Sequence, residues 1–305
     1  MSFRQRKQTP SAPAAAATRK YSRTITYAEL LEWQKDNEYI VTGYRRVQKH
    51  WVSCIASIFA YLHNETINIH SHLWGAVLFV YFLATFRETH LAQYATTWVD
   101  SAVIAVFLFS VVFCLLSSAL YHTASCHSEE VATRCHALDY SGIVVLTVGS
   151  FYPALHFGFF CHPDVQKIYI ITMSCIGLGA AYIVLSPEYS KPTHRGARTG
   201  VFIALGLLGV GPITHCFLTE GYQRVFLDLG FGWSVLSGAL YISGALLYAN
   251  RIPECLAPGK FDYFFASHQI FHFFVIGAAG AHYAGVLTAL KHSYSRPDIC
   301  AGLGG

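Results

Sequence analysis

Past residue 68 the chain settles into long apolar runs divided by short polar ones. Seven runs have spanning length, at 69–86, 98–121, 137–160, 167–185, 199–217, 229–249 and 264–287. Each approaches the ~20 residues with which a helix crosses ~30 Å of hydrocarbon. A helix is the form expected there, because it satisfies its backbone N–H and C=O groups within one segment. The pattern predicts an all-α membrane protein with one seven-helix transmembrane domain over 69–290 and a tail over 291–305. The short connections leave no room for a second folded domain.

The first 68 residues are patterned differently. Positions 1–26 hold Arg4, Arg6, Lys7, Arg19, Lys20 and Arg23 beside an alanine run at 14–17, with no apolar core of a signal sequence. They are read as a disordered basic tail. Over 27–37, Leu30, Leu31 and Trp33 are interspersed with Glu29, Glu32 and Lys35, which predicts a helix. From Tyr44 onward Val47, Trp51, Ile55, Ile58, Phe59 and Leu62 recur at helical spacing beside Arg45, Arg46, Lys49 and His50. That pattern suits a helix lying on an anionic leaflet and one packed on the bundle equally well. The stretch 27–68 is therefore read as a helical juxtamembrane segment.

Composition removes the soluble alternatives. Hydrophobic residues make up 53% of the 305 positions and charged residues only 12%, against about 25% charged in soluble domains. The expected surroundings are membrane lipids, and no nucleic-acid partner is indicated. Sixteen lysines and arginines fall before the first run or in the second, fourth and sixth connections. Five fall in the first and fifth connections, at the outer start of the fourth run (Lys167) and in the C-terminal segment. Positive-inside logic puts the N-terminus in the cytoplasm and the C-terminus outside, the reverse of a G-protein-coupled receptor.

That orientation gathers the candidate chemistry. Ser118 and His122 sit four residues apart at the inner end of the second run, Asp139 at the start of the third, and His268 and His272 at the start of the seventh. Spacing of four puts each pair on one helix face. Polar groups at membrane depth are costly unless partnered. Three imidazoles suit Zn²⁺, and three protein ligands plus a water make an open, catalytic geometry. His122, His268 and His272 are the candidate metal ligands. Asp139 is read as holding the water and drawing off its proton, although it could ligate directly. Ser118 could orient the water or a substrate carbonyl. Taken singly, each residue has a plainer role: chance gives histidine pairs among 16 histidines, Asp139 could pair with Arg134 or favour a helix N-terminus, and Ser118 could bond to its own helix.

The run from His63 to His72, the segments Asn37-Glu38-Tyr39-Ile40 and Gly43-Tyr44-Arg45, Ser118 to His122, Leu138-Asp139-Tyr140-Ser141-Gly142-Ile143, Arg251-Ile252-Pro253-Glu254 and His268 to His272 resemble the progestin and adipoQ receptor family. The chain is most similar to its adiponectin-receptor branch and the fungal, Izh-type haemolysin-III-related members, over roughly 27–290. The resemblance implies a cytoplasmic N-terminus and zinc near the cytoplasmic face on His122, His268 and His272. It also implies that Asp139 contacts the metal or its water. It links the family to hydrolysis of the ceramide amide bond and, in fungi, to zinc and sterol homeostasis and the sensing of plant-defence proteins.

The resulting expectation is a zinc-dependent, ceramidase-like lipid amide hydrolase serving signalling, with ceramide as substrate, a free fatty acid as product, and Asp139 and Ser118 as catalytic residues. The rival is a receptor for an extracellular protein ligand in which zinc is structural. A transporter, suggested by Pro153 and Pro212, lacks an inverted repeat. The plasma membrane is the expected location, with an endomembrane as the alternative. His63, His70 and His72 are read as anchoring the start of the first span at a depth away from the site, and His282 as a helix contact. Gly206, Gly209 and Gly211, and Gly277 with Ala281, suggest close helix packing. The nine cysteines contain no Cys-x-x-Cys, although Cys161 and Cys300 would face the same side and could pair.

Overall fold

A computed structural model describes residues 22–186, 192–295 and 300. Seven helices among them are long and apolar enough to cross a membrane: Thr66–Leu91, Trp98–Ala124, Glu129–Gly158, Pro163–Val184, Arg195–Asp228, Phe231–Leu256 and Ser267–Ser295. The α-helical elements are α1 (Trp51–Ala60), α2 (Thr66–Phe86), α3 (Trp98–Ala124), α4 (Glu129–Gly158), α5 (Pro163–Val184), α6 (Arg195–Leu207), α7 (Val210–Gln223), α8 (Phe231–Asn250) and α9 (Ser267–Ser295). The chain is an integral, multi-pass membrane protein.

Burial ranks the helices. The spans of α3, α4 and α9 bury 61%, 56% and 50% of their apolar windows, while the fourth, fifth and sixth spans bury 22%, 17% and 11%. The three helices that carry the candidate residues are thus the inner ones. Phe79, Phe107, Leu108, Val111, Leu115, Val275 and Leu290 fill the space among α2, α3 and α9. At the end of the bundle away from the histidines, Asp100 accepts from the Thr97 N–H and hydroxyl at 2.6 Å and from the Tyr294 hydroxyl at 2.7 Å, and pairs with His156 at 2.8 Å. That network ties α3, α4 and α9 together. Cys161 and Cys300 form a disulfide at this same end.

Several element boundaries differ from those the pattern predicts. The third span begins at Glu129 rather than 137, because Glu129, Glu130 and Arg134 make a polar helical extension that a hydropathy count passes over. Arg134 pairs with Glu130 at 2.6 Å, not with Asp139. The fifth span is broken between α6 and α7 and ends in a π turn over Arg224–Asp228. The glycines there are not the contact points expected: a Cβ on Gly206 or Gly211 would meet nothing within 4 Å, while one on Gly209 would lie 3.2 Å from the Phe151 ring. The close approach falls at Gly142 of α4, where a Cβ would come within 2.9 Å of the Cys114 Cα on α3. That contact is backbone to backbone and cannot yield by a rotamer change. Gly142→Val is expected to destabilise the fold by about 1–3 kcal/mol through overpacking, read as a lower thermal unfolding midpoint in detergent.

The juxtamembrane segment is less helical than its periodicity implies. Tyr27–Glu29 and Glu32–Gln34 are single 3-10 turns, separated by Leu30 and Leu31 in extended conformation. Thr26 and Glu29 close a capping box around the first turn, and strand β1 (Thr24–Ile25) pairs antiparallel with β2 (Tyr44–Arg45). The strand pair holds the chain extended where apolar spacing alone suggests a helix. It also shows that 24–25 are ordered; positions 1–21 of the expected tail lie outside the described residues. Helix α1 occupies only Trp51–Ala60. It both packs and faces outward, burying Cys54 and Ser57 while Val52 and Phe59 are 81% and 73% exposed.

Candidate metal centre

Each histidine is placed by an identifiable local cause. His122 lies in the last turn of α3, whose final carbonyls are bound by the buried Arg45 guanidinium: it donates to His122 O, to Thr123 O at 3.2 Å, and to the Ser57 and Ser125 hydroxyls at 2.9 and 3.0 Å. A cation is favoured at a helix C-terminus, where carbonyls lack partners. The start of α9 is fixed by Glu254, which is fully buried and accepts from the Ser267 N–H at 2.7 Å, the Ser267 hydroxyl, and the Asn37 amide at 3.1 Å. His268 and His272 follow on one face of the first two turns.

The three rings converge through their Nε2 atoms. His268 Nε2 stands 3.0 Å from His122 Nε2 and 3.1 Å from His272 Nε2. One donor atom from each of the three residues lies within 4.8 Å of the others. Two imidazole nitrogens bound to one tetrahedral zinc at ~2.0–2.1 Å stand roughly 3.3 Å apart, so the donor set suits that ion. No carboxylate joins this group among the described residues. Asp139 is buried on α4 and shares a chamber wall with His122 and His268, and Ser118 is buried on α3 one turn before His122. The structure thus brings all five sequence-predicted residues to one end of the bundle.

The outward nitrogens are also partnered. His122 Nδ1 lies 2.7 Å from Glu65 Oε2, and the Asn68 amide donates to that oxygen at 2.6 Å. His272 Nδ1 lies 3.1 Å from Asn68 O and 3.2 Å from the Ser71 hydroxyl. A proton on each Nδ1 would leave each Nε2 lone pair turned inward, the outer-shell arrangement that orients metal-binding imidazoles. Burial pushes the Glu65 carboxyl up, but His122, then Asn68 and Arg45, outweigh it and hold the group below the usual carboxylate range. Glu65→Gln is expected to weaken zinc affinity about 10- to 100-fold, measured by competition with a fluorescent chelator.

These supporting residues were not foreseen. The histidines of 63–72 read as anchors for the start of the first span, and part of that reading holds: the His63 N–H donates to the Thr66 hydroxyl at 2.9 Å, and His70 bonds Ile58 O of α1 at 2.9 Å. His72 is a correction. It does share the depth of the site, stacked on His272 with centroids 3.6 Å apart and planes 9° from parallel. The sequence signal was present, since Glu65, Asn68 and His72 recur at three- and four-residue spacing on one helix face. His282, as expected, is a helix contact, bonding Ser150 O of α4 at 2.9 Å.

Two adjoining chambers lie within the bundle, and the site residues line the first of them. A polar one of about 520 Å³ is lined by His122, Asp139, His268, Tyr140, Arg195 and Arg198. A second, of about 420 Å³, is lined mainly by apolar residues including Leu146, Phe151, Phe159, Tyr241 and Phe271. Ile143, Phe202 and Ala245 belong to both walls. The Tyr140 hydroxyl is buried without a hydrogen-bond partner among the described residues. Asp36 reaches over the polar chamber from the N-terminal segment, pairing with Arg195 at 2.5 Å.

Seven spanning helices with a buried three-histidine group at one end of the three inner ones define a heptahelical membrane protein with a candidate metal centre. The haemolysin-III-related family profile matches residues 60–283. With it, the chain belongs to the haemolysin-III and adiponectin receptor family. It is 40% identical over 260 residues to the adiponectin receptor protein of Drosophila melanogaster, covering 85% of this chain and 58% of that protein. It is 39% identical over 264 residues to the progestin and adipoQ receptor-like protein 1 of Caenorhabditis elegans, covering 87% and 60%. With the ADIPOR-like receptor IZH2 of Saccharomyces cerevisiae the identity is 34% over 280 residues, covering 92% and 88%. The chain thus spans about three fifths of the two animal relatives and most of the yeast one.

Proposed function

We propose that this protein is a zinc-dependent lipid amide hydrolase, ceramidase-like, in which His122, His268 and His272 hold the metal and Asp139 and Ser118 serve the reaction. The observation that carries the reading is the donor count: three imidazole nitrogens converge, and no fourth protein ligand joins them among the described residues. Three protein ligands characterise catalytic zinc, four the structural kind. Bound zinc would supply a Lewis acid that polarises an amide carbonyl and acidifies a water.

The chain's own residues divide the remaining work. Asp139 accepts a proton from the attacking water at its carboxylate and returns it to the amine nitrogen as the C–N bond breaks. Ser118 holds that carboxylate in place. The apolar chamber takes an acyl chain, while the polar chamber, with Tyr140, Arg195 and Arg198, meets the head group. Ceramide fits this division, releasing a free fatty acid and a sphingoid base. The adjoining walls at Ile143, Phe202 and Ala245 let one amphiphile occupy both.

Orientation belongs to the same proposal. The N-terminus and the histidine end face the cytoplasm, supported by the excess of lysine and arginine there and by the Cys161–Cys300 disulfide at the opposite end. Disulfides persist in oxidising compartments. The plasma membrane is the proposed location, and an extracellular protein ligand would act from the disulfide side. Purified protein in lipid discs is expected to hydrolyse ceramide, to lose that activity on treatment with a zinc chelator, and to regain it with added zinc. Zinc-replete protein inert toward ceramide would instead support the receptor with structural metal.

A further inference from the structure

We propose that α1 and the basic turn before it form a binding surface for anionic phospholipid head groups, at the histidine end of the bundle. The helix has ten residues, about 15 Å of length, half of what a crossing needs. Its inner side is Cys54 and Ser57, both essentially inaccessible. Its outer side is wholly apolar, with Val52 81%, Ile55 54% and Phe59 73% exposed. A short helix of this kind at the boundary of a helical bundle lies in the interfacial plane with that side in the acyl region.

Charge specifies the lipid. No aspartate or glutamate occurs between positions 39 and 64, while Arg46, Lys49 and His50, just ahead of the helix, are all exposed. Arg23 adds a guanidinium at the other end, donating to Ala60 O at 3.0 Å and lying 5.4 Å over the Tyr61 ring. Glu29 lies near Arg46, but its carboxylate is engaged by the Thr26 N–H and hydroxyl at 2.9 and 3.0 Å. Cations thus flank both ends of an apolar face, the arrangement that draws phosphate and carboxylate head groups from an anionic leaflet.

The surface is stitched to the metal centre. The Gln48 and Lys49 N–H groups donate to Cys126 O at 2.8 Å and His127 O at 3.0 Å, one turn beyond His122, and Arg45 joins Ser57 of α1 to the His122 carbonyl. Lipid that fixes this turn also fixes the end of α3. The proposal stands independently of any hydrolytic activity.

The test is lipid retention by the purified full-length protein in detergent, followed by native mass spectrometry as phosphatidylserine and phosphatidylcholine are titrated in parallel. Wild type is expected to prefer phosphatidylserine, with the preference shrinking as salt rises. Arg46→Gln with Lys49→Gln should cut that preference about fivefold per cation removed, the equivalent of ~1 kcal/mol each, and Arg46→Lys with Lys49→Arg should preserve it. Val52→Ser with Phe59→Ser should weaken retention of both lipids and leave their ratio unchanged. An unaltered ratio in the glutamine pair, or no salt-sensitive preference in wild type, overturns the proposal. Unaltered retention in the serine pair does so too, and would mean that something other than lipid covers the helix.

Discussion

Replacing His122 by alanine is expected to strip the protein of zinc and of turnover together. The ring supplies one of only three converging nitrogens, so its loss leaves two donors from a single helix, α9, and none from α3. Removal of a mere outer-shell partner lowers metal affinity 10- to 100-fold, and removal of a ligand must cost more. The change also strands the Glu65 carboxylate, which loses its 2.7 Å contact with the imidazole. Zinc per chain by elemental mass spectrometry, with ceramide hydrolysis in parallel and helix content by circular dichroism, gives the reading. A His122→Ala protein with full zinc and full turnover would sink the proposed function.

The second large effect is a separation of metal from chemistry. Asp139→Asn keeps shape and volume and alters only the capacity to accept a proton. Since no carboxylate belongs to the converging donor group among the described residues, this variant should retain zinc near the wild-type level. Its turnover should fall by about 10²- to 10⁴-fold, the usual worth of a positioned general base. If Asp139 were instead the fourth ligand of a closed structural site, zinc content and thermal stability would fall with it. The two readings therefore differ in metal content rather than in activity.

What could be read without coordinates followed the periodicity that each residue obeys. Apolar runs announced all seven spans, because lipid demands both length and internal hydrogen bonding of a helix. Helical spacing brought out Ser118 with His122 and His268 with His272, and charge counting placed Asp139 at the same end. Outside the membrane those rules lose their hold. Leu30, Leu31 and Trp33 mimic a helical stripe, yet the β1–β2 pair and the Thr26–Glu29 capping box keep that stretch in turns and extended chain. Glu65, Asn68 and His72 look like the polar start of a helix, and only the packing of α2 against α3 and α9 turns them toward His122 and His272. Arg45 reads as one more cation of a basic strip, whereas the fold buries it over the α3 carbonyls. Gly142 gives no signal of its own in the sequence, since its meaning lies in the approach of Cys114.

Anomalous X-ray diffraction at the zinc edge from crystals of the wild-type protein locates the metal and whatever completes its coordination. A single zinc peak is expected among the Nε2 atoms of His122, His268 and His272, with a water or lipid oxygen in the fourth position and Asp139 reaching that oxygen. No zinc among the three histidines, or a zinc closed by the Asp139 carboxylate as a fourth protein ligand, would contradict it.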